Sequence, residues 1–161
     1  MTERVDFYVL KSSSAKQRWA FACRLTEKAY LRDLKVVLWG EAAADVKVID
    51  EMLWTFNERS FVPHAIHGDS PGLGGAAAGG GGAVLPPAPV QLTVDLEAVD
   101  TADLLVNLSD RLPSRLERYA RVAEIIDADE QRRRLGRERF KAYRELKVAV
   151  ETHQLDDAAG A

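Results

Sequence analysis

Short apolar runs alternate along this chain with amphipathic stretches, and that alternation constrains its fold more than any other feature. Residues 5–10, "VDFYVL", are rich in β-branched and aromatic side chains, and the "KSSS" that follows supplies turn and helix-cap chemistry, so they read as a buried strand. Over residues 15–32, Trp19, Ala22, Cys23, Leu25 or Thr26, Ala29 and Tyr30 recur at helical spacing. "KVVLWG" reads as a second buried strand ending on Gly40, and Val46, Ile49, Leu53 and Phe56 mark a second helix. Strand, helix, strand, helix implies right-handed crossovers on a largely parallel sheet, an α/β architecture.

Three further strand-like segments follow: "FVPHAI", "VQLTVDL" and "ADLLVNLS". Pro63 weakens the first and assigns it to an edge or margin. Beyond Leu112, Leu116 and Tyr119 suit a short helix, whereas residues 122–126 suit a strand. Asp127 followed by Glu130 resembles a capping box, which predicts a helix from there to about Val150. The chain is about one domain long at 161 residues, so residues 1–150 are expected to form a single domain, and the polar residues 151–161 a frayed tail.

Residues 68–89 hold eight of the eleven glycines and four of the six prolines. Such a segment gains too little from burial to offset its ordering entropy, so a flexible surface excursion is expected. A phosphate-cradling loop does not fit, because no Gly-Lys-Ser/Thr follows and no strand-to-helix switch surrounds the glycines.

Several chemistries find no support. Cys23 is the only cysteine, which excludes an intrachain disulfide framework and a Cys-based zinc site, and its helical context predicts a buried, inert thiol. No "GxSxG" occurs, and His64 and His67 lack an acidic cluster nearby in sequence, so neither a catalytic nor a metal site is predicted and no cofactor is expected. The opening "MTERVDFYVL" lacks a charged leader before a long apolar stretch, and no segment approaches the ~18 apolar residues of a membrane span. A cytoplasmic protein without membrane contact is expected. The net charge of −3 argues against a protein that coats nucleic acid non-specifically, so any affinity for anions must be local.

That local affinity has one obvious seat. "RRRLGRERFKAYRELK", residues 132–147, carries eight Lys and Arg against two Glu. At about 100° per residue, Arg133, Arg137, Phe140, Lys141 and Arg144 share one helical face, and Leu135, Ala142, Leu146 and Ala149 gather on the opposite one. The aliphatic face reads as the core stripe. Phe140 then either folds onto a neighbouring strand such as residues 122–126, or lies in a pocket apolar at its base and cationic at its rim. Such a pocket suits an acidic peptide ending in an aromatic residue, because Arg forks a carboxylate while the ring contributes area. Single-stranded nucleic acid meets the same requirements through stacking and phosphate contacts.

"LGRERFKAYR" (135–144), "DEMLWTFNERSFVPHAIHG" (50–68) and the opening "VDFYVL" together resemble the chi subunit family of bacterial DNA polymerase III, in collinear order from Val5 to about Leu146. The resemblance implies a single-domain, Rossmann-like three-layer fold with a basic C-terminal helix. It also implies a subunit of the clamp-loader assembly with no polymerase activity of its own, holding the acidic C-terminal tail of single-stranded DNA-binding protein. That tail ends in Pro, Phe and the free carboxylate. On this basis Arg137 takes the carboxylate, Arg133 and Lys141 add positive charge, and Ile126 helps form the apolar floor. Phe140 stands where a tyrosine is familiar, which keeps the ring contact and drops any hydroxyl contact. Trp54 and Phe61 correspond to an aromatic patch for the psi subunit or a helicase-like partner; by spacing alone, Trp54 reads equally as the last core residue of its helix. DNA would be met indirectly, through coated single strands, and a direct single-stranded DNA-binding module is the competing reading.

Overall fold

The computed structural model describes residues 2–12, 14–55, 64–66, 89–99 and 101–155. Seven strands form one parallel sheet: β1 (Arg4–Leu10), β2 (Val36–Trp39), β3 (His64–Ile66), β4 (Val90–Thr93), β5 (Ala102–Asn107), β6 (Tyr119–Ile126) and β7 (Val150–Leu155). Their spatial order is β3-β4-β2-β5-β6-β1-β7. Among the described residues, three α-helices accompany them: α1 (Ala15–Tyr30), α2 (Ala43–Thr55) and α3 (Glu130–Glu145). The expected Rossmann-like α/β architecture is therefore observed.

Both faces of the sheet are covered, and the sequence of the inner strands says so. "VVLW" of β2 is buried throughout because alternate side chains enter opposite cores. Val36 and Leu38 join Leu104, Val106, Ala123 and Ile125 beneath α1 and α2. Val37 and Trp39 join Leu105, Val122 and Tyr143 on the α3 face. The result is three layers.

The helix ends follow local chemistry. Ser14 caps α1 by accepting the Gln17 N–H, and Ala22, Cys23, Thr26 and Ala29 form its buried stripe, as the spacing predicts. Burial pushes the Cys23 thiol up to about 12, consistent with an inert group. Gly40 ends β2 where a Cβ would come within 2.7 Å of Val46 Cγ2, so only hydrogen there lets α2 approach the sheet. Arg18 of α1 is buried, and its guanidinium donates to the Ile125 and Leu108 carbonyls at the carboxyl ends of β6 and β5.

Several boundaries differ from expectation. A 3-10 turn at Leu116–Arg118 leads into β6, so both readings of that ambiguous segment are realised in succession. The helix-capping residue is Asp129, not Asp127, because Asp127 is engaged by the Arg132 side chain. α3 ends at Glu145, and residues 150–155 form β7 beside β1 where a frayed tail was expected. Parallel pairing with β1 from Val5–Val150 to Leu10–Leu155 gives this polar segment its backbone hydrogen bonds. Most of the glycine-rich excursion (residues 68–89), His67 and residues 156–161 lie outside the described residues. Among the described residues, no helix is long and apolar enough to cross a membrane.

Candidate functional site

The corner between β6 and α3 is built on Asp127. Its carboxylate takes a two-point contact from Arg132, at 2.8 Å from Nε and 2.6 Å from the terminal nitrogen, and it accepts the Asp129 N–H. Burial pushes the Asp127 carboxyl upward, but the Arg132 hydrogen bonds and charge outweigh this and hold it below its ordinary value. The Asp127 carbonyl accepts from Arg133 Nε at 3.2 Å, which orients the first cation of the site.

The face that α3 buries is not the aliphatic one. Gly136, Arg139 and Tyr143 are buried, whereas Leu146 is 54% exposed and Ala149 is exposed. Leu135 and Ala142 are half-buried. The physical reason is a polar cluster beneath the helix. Glu124, wholly buried in β6, accepts from Arg139 Nε at 3.1 Å, from Tyr143 Oη at 2.6 Å and from Asn107 Nδ2 at 2.9 Å. Burial pushes the Glu124 carboxyl up, against the pull of Arg139 and the two neutral donors. A buried carboxylate demands such partners, and meeting that demand rotates α3 away from its aliphatic stripe.

The rotation places Phe140 at the edge of the core. Its ring meets Phe7 of β1 edge-on, with centroids 5.3 Å apart, and the Arg144 guanidinium lies 5.9 Å from its centroid. Phe140 is therefore half-buried against the sheet, as the reading that folds it onto a neighbouring strand expects; its ring partner is Phe7 of β1, and it packs on the cluster that also holds Val122 and Ile126. Gly136 lies one turn earlier, where a Cβ would come 2.8 Å from Ile126 Cδ1.

Between α3 and strands β1 and β7 opens a depression of about 290 Å³. Ile126, Phe7, Val9 and Phe140 supply apolar surface, and Arg133 and Arg137 stand over it. Four of the five residues expected to bind the tail thus line one cavity. Lys141 is exposed and does not line it. Thr152 and Gln154 of β7 complete the wall and were not anticipated, because that segment was read as a frayed tail. The β-branched residues of "VAVET" were the signal available for a strand there.

The sequence profile described as "DNA polymerase III chi subunit, HolC" matches residues 1–151. The chain belongs to the DNA polymerase III chi subunit family. It is 31% identical over 152 residues to the chi subunit of Pseudomonas aeruginosa, covering 94% of this chain and 96% of that protein. To the chi subunit of Haemophilus influenzae it is 25% identical over 145 residues, covering 89% and 92% of the two chains. By fold it is similar to the C-terminal domain of the DEAD-box protein Dbp5, with a TM-score of 0.63 at 10% identity, covering 94% of this chain and 91% of that one. T4 UvsW gives a TM-score of 0.62 at 9% identity, with 97% of this chain and 42% of that one covered. These helicase likenesses speak to the fold alone. As a chi family member, the chain is assigned to DNA replication.

Trp54 lies on the last turn of α2 with 52% of its surface exposed, so it is not the core residue that its spacing also allowed. Phe61 lies outside the described residues. Among the described residues, one group has the composition of a metal site: Asp6, Glu151 and His153, with ligand atoms all within 4.8 Å of one another. Arg4 reaches Asp6 at 3.1 Å and Glu151 at 3.2 Å, and His153 Nε2 is 3.0 Å from Asp6, so all three candidate ligands already have partners within the chain.

Proposed function

We propose that this chi subunit is a non-catalytic adaptor that couples the polymerase III clamp loader to single strands coated with single-stranded DNA-binding protein. The observation that carries the reading is the cavity between α3 and β1/β7, apolar at its floor and cationic at its rim. A terminal Phe seats against Phe140, Phe7 and Ile126, and its carboxylate is forked by Arg137, with Arg133 beside it. Lys141, outside the cavity, adds to the field that draws an acidic tail. One contact of this size is weak, and strength comes from the many tails that a coated strand displays. Trp54, exposed on the last turn of α2, offers a second surface for psi or a helicase-like partner.

At the carboxyl ends of β5 and β6, where open α/β sheets hold ligands, Arg18, Asn107 and Arg139 fill the space with the chain's own hydrogen bonds. That arrangement favours an adaptor over a nucleotide-dependent enzyme. The test is a titration of a fluorescent acidic peptide ending in Pro-Phe beside a single-stranded oligonucleotide of matched charge. Peptide binding that Arg137→Ala weakens at least about tenfold supports the adaptor. Tight oligonucleotide binding without a response to the peptide contradicts it and favours a direct DNA-binding module.

A further inference from the structure

We infer that the groove between α1 and the outer strands of the sheet binds single-stranded nucleic acid directly, with Arg24, Lys28 and Arg32 on successive phosphates. This groove lies on the sheet face opposite the α3 cavity, and the inference stands whatever that cavity holds.

Alternation along β1 separates the two places. Phe7 and Val9 line the cavity under α3, whereas Asp6 and Tyr8 line a depression of about 600 Å³ on the α1 side. Its apolar surface comes from Tyr8, Phe21 and Leu25, all half-buried against the core beneath α1. The Tyr8 and Phe21 rings lie 5.2 Å apart, centroid to centroid, so strand and helix meet there through aromatic surface.

The wall above that surface is cationic. Arg24, Lys28 and Arg32 follow one another at intervals of four residues along α1 and the turn that ends it, and Arg121 joins them from β6. Lys28, Arg32 and Arg121 are exposed, and no salt bridge among the described residues engages any of the four. Asp6, Glu27 and Asp103 also line the groove. Two of these carboxylates are already engaged: Asp6 by Arg4 and His153, and Asp103 by the Lys35 N–H. The cations therefore face outward with the larger share of unanswered charge.

Spacing and surface together favour a nucleic acid strand. Four helical residues advance about 6 Å, close to the separation of neighbouring phosphates on an extended single strand. A peptide matches that ladder only with a carboxylate at every second residue, and it then brings no ring to the apolar surface. Single-stranded nucleic acid brings one charge and one ring at each step, and a basic track beside aromatic side chains is what holds it. The net charge of −3 limits the contact to this short track, so it should be weak and sensitive to salt.

The experiment follows the anisotropy of a fluorescent oligothymidylate of about twelve nucleotides, titrated with the full chain at several salt concentrations. Three phosphate contacts predict a slope of about −2 in log affinity against log salt. Arg24→Gln/Lys28→Gln/Arg32→Gln is expected to weaken binding at low salt at least about tenfold and to flatten that slope. The same variant should keep its melting temperature, and its affinity for a Pro-Phe peptide should stay within about twofold, because the α3 cavity is untouched. Arg137→Ala should leave the oligonucleotide affinity within about twofold. Failure of the unsubstituted protein to bind the oligonucleotide at low salt overturns the inference. So does oligonucleotide binding that the triple substitution spares and Arg137→Ala removes. An oligoglutamate of matched charge that outcompetes the oligonucleotide on this face overturns it in favour of an acidic protein partner.

Discussion

Arg139 Nε lies 3.1 Å from Glu124 Oε1, and both side chains are buried between α3 and the sheet. The pair sets the rotation of α3 and, through it, the position of Phe140, three residues short of Tyr143, which also bonds Glu124. Arg139→Met leaves the carboxylate buried without its cation, and such a loss costs about 3–5 kcal/mol. Urea unfolding should show it as a lower midpoint. Adding Glu124→Gln to that background should recover part of the loss, because the stranded charge is then gone.

Asp127 gives a pH signature. Its carboxyl is held below the ordinary value of 3.8, chiefly because the bonded Arg132 overrides the upward push of burial. Its contribution to stability is therefore present above the ordinary value and is lost as pH falls through the depressed folded one. The melting temperature of Asp127→Asn should fall short of the unsubstituted protein by about 3 °C or more at neutral pH, with the gap closing below about pH 4. A gap that stays constant down to pH 3 would count against the ion pair.

Gly136 and Ile126 form a packing switch at the floor of the pocket. In Gly136→Ala the new methyl meets Ile126 Cδ1, 2.8 Å from where it would stand, and displaces it toward the cavity. Helix propensity gains about 1 kcal/mol from the same change, so the melting temperature should move little while peptide affinity drops. Ile126→Val in that background removes the offending methyl and should restore binding, a coupling that a double-mutant cycle measures.

Trp54, more than half exposed on α2, should be dispensable for folding and needed for its partner. Trp54→Ala is expected to change stability by under about 1 kcal/mol while abolishing co-purification with psi or a helicase-like protein. Loss of stability with partner binding intact would return Trp54 to a purely structural role.

The strands and the first two helices were legible because their signals are local: "VVLW" needs two covered faces, and Val46, Ile49 and Leu53 repeat at helical spacing. The pocket residues Ile126, Arg133, Arg137 and Phe140 were legible through family resemblance, and periodicity alone assigned the wrong core face to their helix. Hydropathy assigns Leu135 and Leu146 inward. The fold leaves Leu135 half-buried and Leu146 exposed and buries Arg139, because Glu124, set in the apolar run "VAEII", needs a buried cation from another element. A charge inside a strand pattern was the clue, since it has to be answered from another element. β7 was missed for a similar reason. "VETHQL" has little apolar content, and its place in the sheet comes from pairing with β1, some 145 residues away at Val5–Val150.

On the proposed function, the cavity between α3 and β1/β7 recognises a free carboxylate next to an aromatic ring. The deciding titration sets two acidic Pro-Phe peptides that differ solely at the C-terminus, one a free acid and the other an amide, against the protein and Arg137→Ala. The free acid should bind the unsubstituted protein at least about tenfold more tightly than the amide, and Arg137→Ala should remove that difference. Equal affinity for acid and amide, or a difference that persists without Arg137, would contradict it.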